Sequence, residues 1–558
     1  MRSRRIIYFA PAGADLRRLR QELEEAGTRL CDRGAELEVE VPGSTVTLVH
    51  DVSSEEVAAR LAHEYISLVF VDLRPIDDDR PFEGRAQGVE RLLDALDGPD
   101  DVEARYGFHR IALLTADADG PPLDALLMRL GARGVRLAYR ERARERGFAA
   151  RALASSCEVI RHRQRGKTAL CLSGGGTTGI YFELGALKCL QDCLPEGALN
   201  EMDMFFGISA GAVVGSMLAV GFSPDEIMAG IAGEAGARLP ALDLGLVRAS
   251  NISLADAMRR VGRAWYEAAR NWQGLLTRRE DASWEAFVEN YIDMWGAPFN
   301  ARALERYLAQ AFSVPGASNR FGDLGRSLFI GASDLDARRH VLFGAADAPV
   351  VSVSEAVQAS VSFSPAFTPV KLRGRYYEDG AITRTSNFVE AIERGATLLL
   401  IVDPFLPLVS REPGSQAARG MFFRIDQNIR TMSFTRFENA RDWVLRQHPE
   451  IGAYTFVPSN RQRLLLAGSP MDHRQYAAIW RGAYLSTLAR LERLEAKLAG
   501  DLEAHGLALD LDRARRVAGR LERVGKPTFA DFFCGPVRIS RPPLALERRA
   551  RAEGARAS

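Results

Sequence analysis

MFFGISAGAVVG, residues 204–215, is the stretch that decides the fold of this chain. An apolar run ends at Gly207, the pattern G-x-S-x-G follows, and small residues compatible with a helix come next. A strand that turns sharply into a helix leaves little room for side chains around its middle residue, and Gly207 and Gly211 meet that requirement. We therefore predict a strand, a tight turn that exposes the Ser209 hydroxyl, and a helix whose N-terminus favours negative charge.

A glycine-rich segment precedes this turn. Ser173–Gly179 reads SGGGTTG and lies between a predicted strand, Thr168–Leu172, and a helix-like run, Ile180–Cys193. Its glycines fit G-x-G-x-x-G, so a nucleotide-binding oxidoreductase is one alternative. Adjacent parallel strands bring their carboxyl ends together, so this loop and Ser209 should open onto one crevice. The spacing therefore favours an oxyanion hole made of backbone N–H groups.

The motifs SGGGTTG, GISAG and DGA follow one another along the chain, with ASVSFSPAFTP (Ala359–Pro369) before the last of them. In this order they resemble the patatin-like phospholipase family over roughly Thr168–Asp403. Phe423–Leu491, with SPMD at Ser469–Asp472, also resembles the C-terminal helical part of some bacterial members. The resemblance implies a three-layer α/β/α domain and a lipid acyl hydrolase that uses a Ser–Asp dyad.

The resemblance also implies which residues act. Carried over by position, Ser209 is the nucleophile and Asp379 its partner, and Gly174, Gly175 and Gly176 supply N–H groups for the oxyanion. The residues that complete the motifs are Gly179, Gly207, Gly211, Gly380 and Ala381.

The residue inventory is compatible with an aspartate as the base. A serine hydroxyl needs a base, most often His, but none of the eight histidines lies in a glycine-rich or strand-end motif that would orient it. Burial near an apolar pocket would raise the pKa of Asp379 and make direct proton abstraction feasible. The competing interpretation is that Asp379 only forms an Asp-Gly turn.

One position departs from the family pattern. The family usually has Arg or Lys two residues after the third glycine, where this chain has Thr178. A missing cation would weaken transition-state stabilisation or headgroup binding. A catalytically weak regulatory or scaffold protein with the same fold is therefore the second hypothesis.

Residues 1–163 alternate strand-like and helix-like runs, which predicts a small doubly wound, flavodoxin-like α/β domain. The region resembles a response-regulator receiver, with Asp72 and Thr115 at strand ends. The magnesium-binding acidic residues and the final Lys of that family are missing. We therefore expect a degenerate interaction module with a regulatory or dimerising role. The predicted strands lie near Arg5–Phe9, Val46–His50, Ser67–Asp72, Ile111–Thr115 and Val135–Tyr139.

The rest of the chain divides by composition. We expect a catalytic domain over 164–405, with an aromatic-rich helical cap or insertion over 243–312 that packs on the sheet, lines an acyl pocket or touches a membrane. A helical C-terminal region over 406–525 and a tail over 526–558 follow.

Charge and composition limit the partners. The net charge of +1 argues against a general nucleic-acid binder. The nucleophile, base and oxyanion donors all come from the chain, so no metal or organic cofactor is expected. The expected partner is a phospholipid or another fatty-acyl ester. Six scattered cysteines and a short N-terminal apolar run predict a cytoplasmic protein whose contact with membranes is peripheral.

Overall fold

The computed structural model forms two compact units. It describes residues 4–11, 16–33, 36–42, 44–51, 53–75, 81–99, 101–142, 145–163, 166–234, 239–242, 254–277, 299–364, 366–448, 450–468 and 475–535. The first unit comprises Met1–Gly166, Asp442–Tyr454 and Leu491–Leu509. The second comprises Lys167–Arg441, Thr455–Arg490 and Asp510–Ser558. The segment predicted as a C-terminal region therefore supplies residues to both units.

The first unit is built on a seven-stranded sheet in the order β2-β3-β4-β1-β5-β6-β7. The five strands from β4 to β7 in this order pair in parallel, which is the doubly wound arrangement that we predicted. The antiparallel hairpin of β2 and β3 at one edge was not predicted. The strands are β1 Arg4–Phe9, β2 Leu30–Arg33, β3 Glu36–Val41, β4 Ser44–Asp51, β5 Leu68–Asp72, β6 Ile111–Ala116 and β7 Leu137–Glu141.

Helices cover both faces of this sheet. Ile6 and Tyr8 of β1 belong to one apolar core and Ile7 to another, because successive strand residues point to opposite faces. The first core contains residues of α1 and α5, and the second contains residues of α2, α3 and α4. These helices are α1 Leu16–Glu25, α2 Ser54–His63, α3 Phe82–Asp97, α4 Gly120–Ala132 and α5 Phe148–Arg163.

Asp72 ends β5, as the sequence indicated, but its carboxylate is buried and hydrogen-bonded to two side chains. The Arg74 guanidinium donates to both of its oxygens, over 2.9 and 2.8 Å, and the Tyr8 hydroxyl donates over 3.0 Å. An exposed phosphoacceptor would need these contacts to open. The resemblance of this unit to receivers stays a prediction.

The second unit is built on a larger sheet, ordered β12-β13-β10-β9-β8-β14-β15, with β11 paired to β10; the residues of β15 fall on both sides of the division between Tyr454 and Thr455. The strands β10, β9, β8 and β14 run parallel, and every residue of β9 is buried. A strand buried along its whole length needs cover on both faces, which gives the predicted three-layer arrangement. The strands are β8 Lys167–Leu172, β9 Met204–Ile208, β10 Ser327–Asp334, β11 Arg339–Phe343, β12 Val370–Leu372, β13 Arg375–Asp379, β14 Ala396–Val402 and β15 Gly452–Phe456.

The secondary structure of the second half of the chain matches the prediction from the sequence only in part. The prolines of the stretch Ala359–Pro369 suit a loop or the edge of a lid, but its first two residues end a helix. Strand β15 was missed within the predicted helical region 406–525. The remaining helices are α6 Gly176–Cys193, α7 Ala210–Val220, α8 Pro224–Ala232, α9 Leu254–Leu276, α10 Arg302–Ala311, α11 Val353–Ser360, α12 Phe388–Glu393, α13 Met421–Gln447, α14 Asn460–Gly468, α15 Tyr476–Ala504 and α16 Asp512–Arg523.

Some predictions fall on residues outside the described ranges. They include Ser469–Asp472, most of the tail, and parts of the predicted cap, of which α9 and α10 are described. Within the described part of the chain, no helix combines the length and the apolar character that crossing a membrane requires.

Candidate active site

Ser209 lies at the predicted turn between β9 and α7. Its backbone is in the positive-φ region, at φ 53° and ψ −115°, which residues with a Cβ rarely adopt. Close packing explains the two flanking glycines: a Cβ on Gly207 would lie 2.4 Å from the Gly211 carbonyl oxygen, and one on Gly211 would lie 2.3 Å from that of Leu172. The turn therefore tolerates no side chain at either position.

The strained turn is held by a hydroxyl from another part of the chain. The Ser209 N–H donates to Ser360 Oγ over 2.8 Å, and Ser360 Oγ donates to the Gly331 carbonyl over 2.6 Å. Both Ser209 and Ser360 are buried, so the turn does not leave the serine open to solvent as predicted, because the neighbouring elements pack over it. Ser360 ends α11 and Gly331 lies in β10, so the hydroxyl links the turn to the neighbouring strand.

Asp379 is the last residue of β13, beside β10. Its N–H donates to the Ser362 carbonyl over 3.1 Å, and its Oδ1 accepts the Ala381 N–H over 2.8 Å. A Cβ on Gly380 would lie 2.5 Å from the Gly331 carbonyl oxygen, so this turn also requires a glycine.

The Asp379 carboxyl is suited to exchange protons near neutrality. Burial raises its pKa to about 7, and hydrogen bonds from the Ala381 N–H and the Ser209 side chain oppose that rise. The negative charge of Glu378 adds to it. A carboxylate with this pKa is a stronger base than an exposed one.

The glycine loop lies next to both residues. A Cβ on Gly174 would come 3.4 Å from the Ser209 Cβ and 3.6 Å from the Ala381 Cβ, so Gly174 lies beside both motifs. Gly175 packs against Pro404, where a Cβ would approach to 2.7 Å. Gly176, at φ 65°, begins α6, and the Gly179 N–H donates to the Gly175 carbonyl over 3.0 Å.

The backbone of this loop offers donors. In the described residues, the N–H groups of Gly174 and Gly175 donate no backbone–backbone hydrogen bond. They precede the N-terminus of α6, an 18-residue helix, whose dipole favours negative charge. The loop can therefore bind a developing oxyanion beside Ser209.

Thr178 is buried in the first turn of α6, and its hydroxyl donates to the Gly175 carbonyl over 3.4 Å. A neutral group that bonds to the loop stands where the resembled family usually carries a cation.

Ser360 and Gly331 were not predicted as site residues. The sequence contained both, in ASVSF and in LFIGASD, but nothing local distinguishes them from other small residues. For metals, the described residues contain no cluster of three or more His, Cys, Asp or Glu side chains that could bind an ion.

The fold and the site together define a three-layer α/β domain with a serine at a strand-to-helix turn and a carboxyl at the end of a nearby strand. Residues 170–392 match the family model described as patatin-like phospholipase, and the chain carries a patatin-like phospholipase domain over these residues.

Two curated relatives match parts of the chain. An uncharacterized protein, R571 of Acanthamoeba polyphaga mimivirus, is 26% identical over 215 residues, which cover 38% of this chain and 58% of that protein. A cUMP-AMP-activated phospholipase of Escherichia coli is 38% identical over 60 residues, covering 11% of this chain and 18% of that protein. The chain thus spans less than two thirds of the length of either relative.

Among solved structures, VipD from Legionella pneumophila aligns with a TM-score of 0.31 at 16% identity, over 63% of this chain and 74% of that one.

Proposed function

We propose that this protein is a serine lipid acyl hydrolase that cleaves fatty-acyl esters, with Ser209 as nucleophile and Asp379 as base. The observation that carries the proposal is the position of Gly174, which lies beside both Ser209 and Ala381. The family match over residues 170–392 supports the class of reaction.

The proposed mechanism needs no group from outside the chain except water. Ser209 Oγ attacks the ester carbonyl carbon, and its proton passes to the Asp379 carboxylate. The N–H groups of Gly174, Gly175 and Gly176 stabilise the negative oxygen of the tetrahedral intermediate. As the intermediate collapses, the C–O bond breaks and Asp379 returns the proton to the leaving alcohol.

Water then attacks the acyl-enzyme. Asp379 takes a proton from this water, the second tetrahedral intermediate collapses, and the proton returns to Ser209 Oγ as the fatty acid leaves. Ser209, Asp379 and the glycine loop therefore serve both halves of the reaction.

Helix α9 supports peripheral contact with a membrane. Met258, Val261, Trp265 and Trp272 are spaced three, four and seven residues apart, so they share one face of the helix, and all four are exposed. Arg263 and Arg270 are exposed on the other face. An apolar face with tryptophans, combined with arginines, is typical of helices that lie in the interface of an anionic membrane.

The remaining proposals concern organisation and location. We propose that residues 164–405 form the catalytic domain. We also propose that residues 1–163 have a regulatory or dimerising role. The first compact unit also includes residues 442–454 and 491–509, so truncation before Lys167 would remove only part of it. The six cysteines are free thiols, which supports the proposed cytoplasmic location.

A weakly catalytic regulatory protein is the second candidate, and Thr178 is the observation that favours it. Its buried, neutral side chain adds no positive charge to the loop. Such a protein would retain the fold with little turnover.

Labelling with a fluorophosphonate tests the proposal, because the probe reacts only with an activated serine. Wild type should be labelled and should release fatty acid from phospholipid vesicles, and Ser209→Ala should do neither. Full esterase activity in Ser209→Ala would refute Ser209 as the nucleophile. A correctly folded wild type that is not labelled would favour the scaffold.

A further inference from the structure

A chain of three polar side chains reaches the main chain of Asp379 from the side of β11. Ser333 Oγ donates to the Asp379 carbonyl over 2.9 Å. Thr383 Oγ1 lies 2.9 Å from Ser333 Oγ, and His340 Nδ1 lies 2.8 Å from Thr383 Oγ1. Ser333 is buried on β10, His340 lies on β11, and Thr383 follows the Asp379–Gly380 turn.

The direction of these hydrogen bonds follows from the number of protons. Ser333 has one hydroxyl proton, which it donates to the Asp379 carbonyl, so it accepts from Thr383. Thr383 then has no second proton for His340 and must accept from it. His340 therefore carries a proton on Nδ1. The Thr383 hydroxyl also lies 3.2 Å from the Gly380 carbonyl, and if it donates there it likewise has no proton left for His340.

This arrangement holds the Asp379 residue from a second side. Its N–H is bound by the Ser362 carbonyl, and its own carbonyl is bound by Ser333. With both main-chain groups hydrogen-bonded, the main chain of Asp379 is restrained, and rotation about the side-chain bonds is the chief remaining freedom of its carboxyl. Its Oδ1 is restrained by the Ala381 N–H.

We propose that Ser333, Thr383 and His340, which we call the relay, are positioning residues that fix the main chain of Asp379 and so aim its carboxyl at Ser209. The proposal rests on the proposed hydrolase function. No member of this relay needs to touch the substrate, since each acts through Asp379. A displacement of about 1 Å in a catalytic group is enough to slow a reaction by roughly a hundredfold.

The relay does not depend on the charge of His340. Burial lowers the pKa of His340, the negative charge of Glu390 opposes that effect, and the positive charge of Arg384 adds to it. Asn387 is the other polar side chain of the same neighbourhood. Nδ1 carries a proton in the imidazolium and in the neutral tautomer required here, so it donates to Thr383 in both states.

The test compares three threonine variants of the full-length chain. Thr383→Val removes the hydroxyl and keeps the shape, and Thr383→Ser keeps the hydroxyl. Thr385→Val is the matched control, because the buried Thr385 hydroxyl donates to the Ser433 carbonyl over 2.8 Å, outside the relay. The measurements are kcat and KM for a soluble p-nitrophenyl ester from pH 5 to 9, together with the rate of fluorophosphonate labelling.

Thr383→Val should lower kcat at least about tenfold with KM within about twofold of wild type, because positioning affects the reacting group and not the binding of the ester. The acid limb of its pH profile should move to lower pH, since a less restrained carboxyl is better hydrated. Thr383→Ser should restore most of kcat, and Thr385→Val should resemble wild type.

Equal kcat values and pH profiles for Thr383→Val and Thr385→Val would overturn the relay while leaving the hydrolase proposal intact. If Thr383→Val does not fold, Ser333→Ala replaces it, and wild-type kcat in that variant would overturn the relay equally. A folded wild type that neither hydrolyses the ester nor reacts with the probe would overturn the proposed function, and the role of the relay with it.

Discussion

The backbone N–H of Ser209 donates to the hydroxyl of Ser360 over 2.8 Å, although the two residues lie 151 positions apart in the chain. Ser209 occupies a positive-φ conformation that costs about 1–3 kcal/mol and persists only when its surroundings enforce it. The Ser360 hydroxyl is one of the groups that enforce it.

Replacing Ser360 by Ala should therefore weaken the turn. The variant leaves a buried N–H without its acceptor, at a cost of about 1–3 kcal/mol, and should slow fluorophosphonate labelling of Ser209 by about tenfold or more. Ser362→Ala is the control, because its buried hydroxyl bonds only to the Gln358 carbonyl in the described contacts. Labelling at the same rate in both variants would show that Ser360 does not support the turn.

The rate of ester hydrolysis should follow the ionisation of Asp379. Burial raises its pKa to about 7, and only the carboxylate form can accept the serine proton. We expect kcat/KM for a soluble ester to rise about tenfold per pH unit below pH 7 and to level off above it. A rate that is independent of pH between 5 and 8 would exclude Asp379 as the base with this pKa.

The same group should limit stability at high pH. Its pKa is higher in the folded chain than the ordinary value of about 3.9, so the proton that it binds stabilises the folded state. This stabilisation is complete below a pH of about 3.9 and is lost as the pH rises through 7. Asp379→Asn cannot ionise and escapes that loss. Its Tm relative to wild type should be at least about 2 °C more favourable at pH 8 than at pH 5.

Asp347→Asn, which replaces an exposed carboxyl, is the control for this experiment and should show no such difference between the two pH values. An Asp379→Asn variant whose Tm difference from wild type is the same at both pH values would contradict the prediction.

Gly174→Ala should separate folding from activity. The added methyl would meet the Ser209 Cβ at 3.4 Å and the Ala381 Cβ at 3.6 Å, which are ordinary contacts, so the protein should fold with a Tm close to that of wild type. The methyl occupies space beside the nucleophile and would displace the Ser209 hydroxyl or the bound probe. Because a small misplacement of a reacting group slows its reaction strongly, labelling should slow about tenfold or more.

Gly215→Ala is the matched control. Gly215 lies on α7, further along the helix from the serine, and the added methyl would contact the Leu172 side chain at 3.6 Å. Equal labelling rates in the two alanine variants would argue against a role for the Gly174 loop beside Ser209.

Trp265→Glu should reduce hydrolysis of lipid in vesicles without affecting a soluble ester. Trp265 is 69% exposed on α9, and a carboxylate there would oppose contact with anionic lipid. We expect at least about a tenfold loss of binding to vesicles containing phosphatidylserine. Gln273→Glu adds the same charge at another exposed position of α9 and serves as the control. Unchanged vesicle binding in Trp265→Glu would exclude this face as the membrane contact.

Much of the fold followed from local pattern. The parallel strands of the first unit alternate with amphipathic helices, and that alternation is readable along the chain. The edge hairpin of β2 and β3 and the short strand β15 were missed. A strand such as Gly452–Phe456 is too short to show a period, and its place is set by the sheet that it joins.

The sequence by itself determined the two tight turns of the candidate site and the loop beside them. Gly207, Gly211 and Gly380 are needed where backbone approaches backbone, and that requirement leaves a mark in the sequence because only glycine satisfies it. Only the tertiary structure decided which hydroxyls support those turns. Ser360, Ser333 and Thr383 are ordinary polar residues in the sequence, and a hydrogen bond between distant segments depends on distances that arise when the strands assemble.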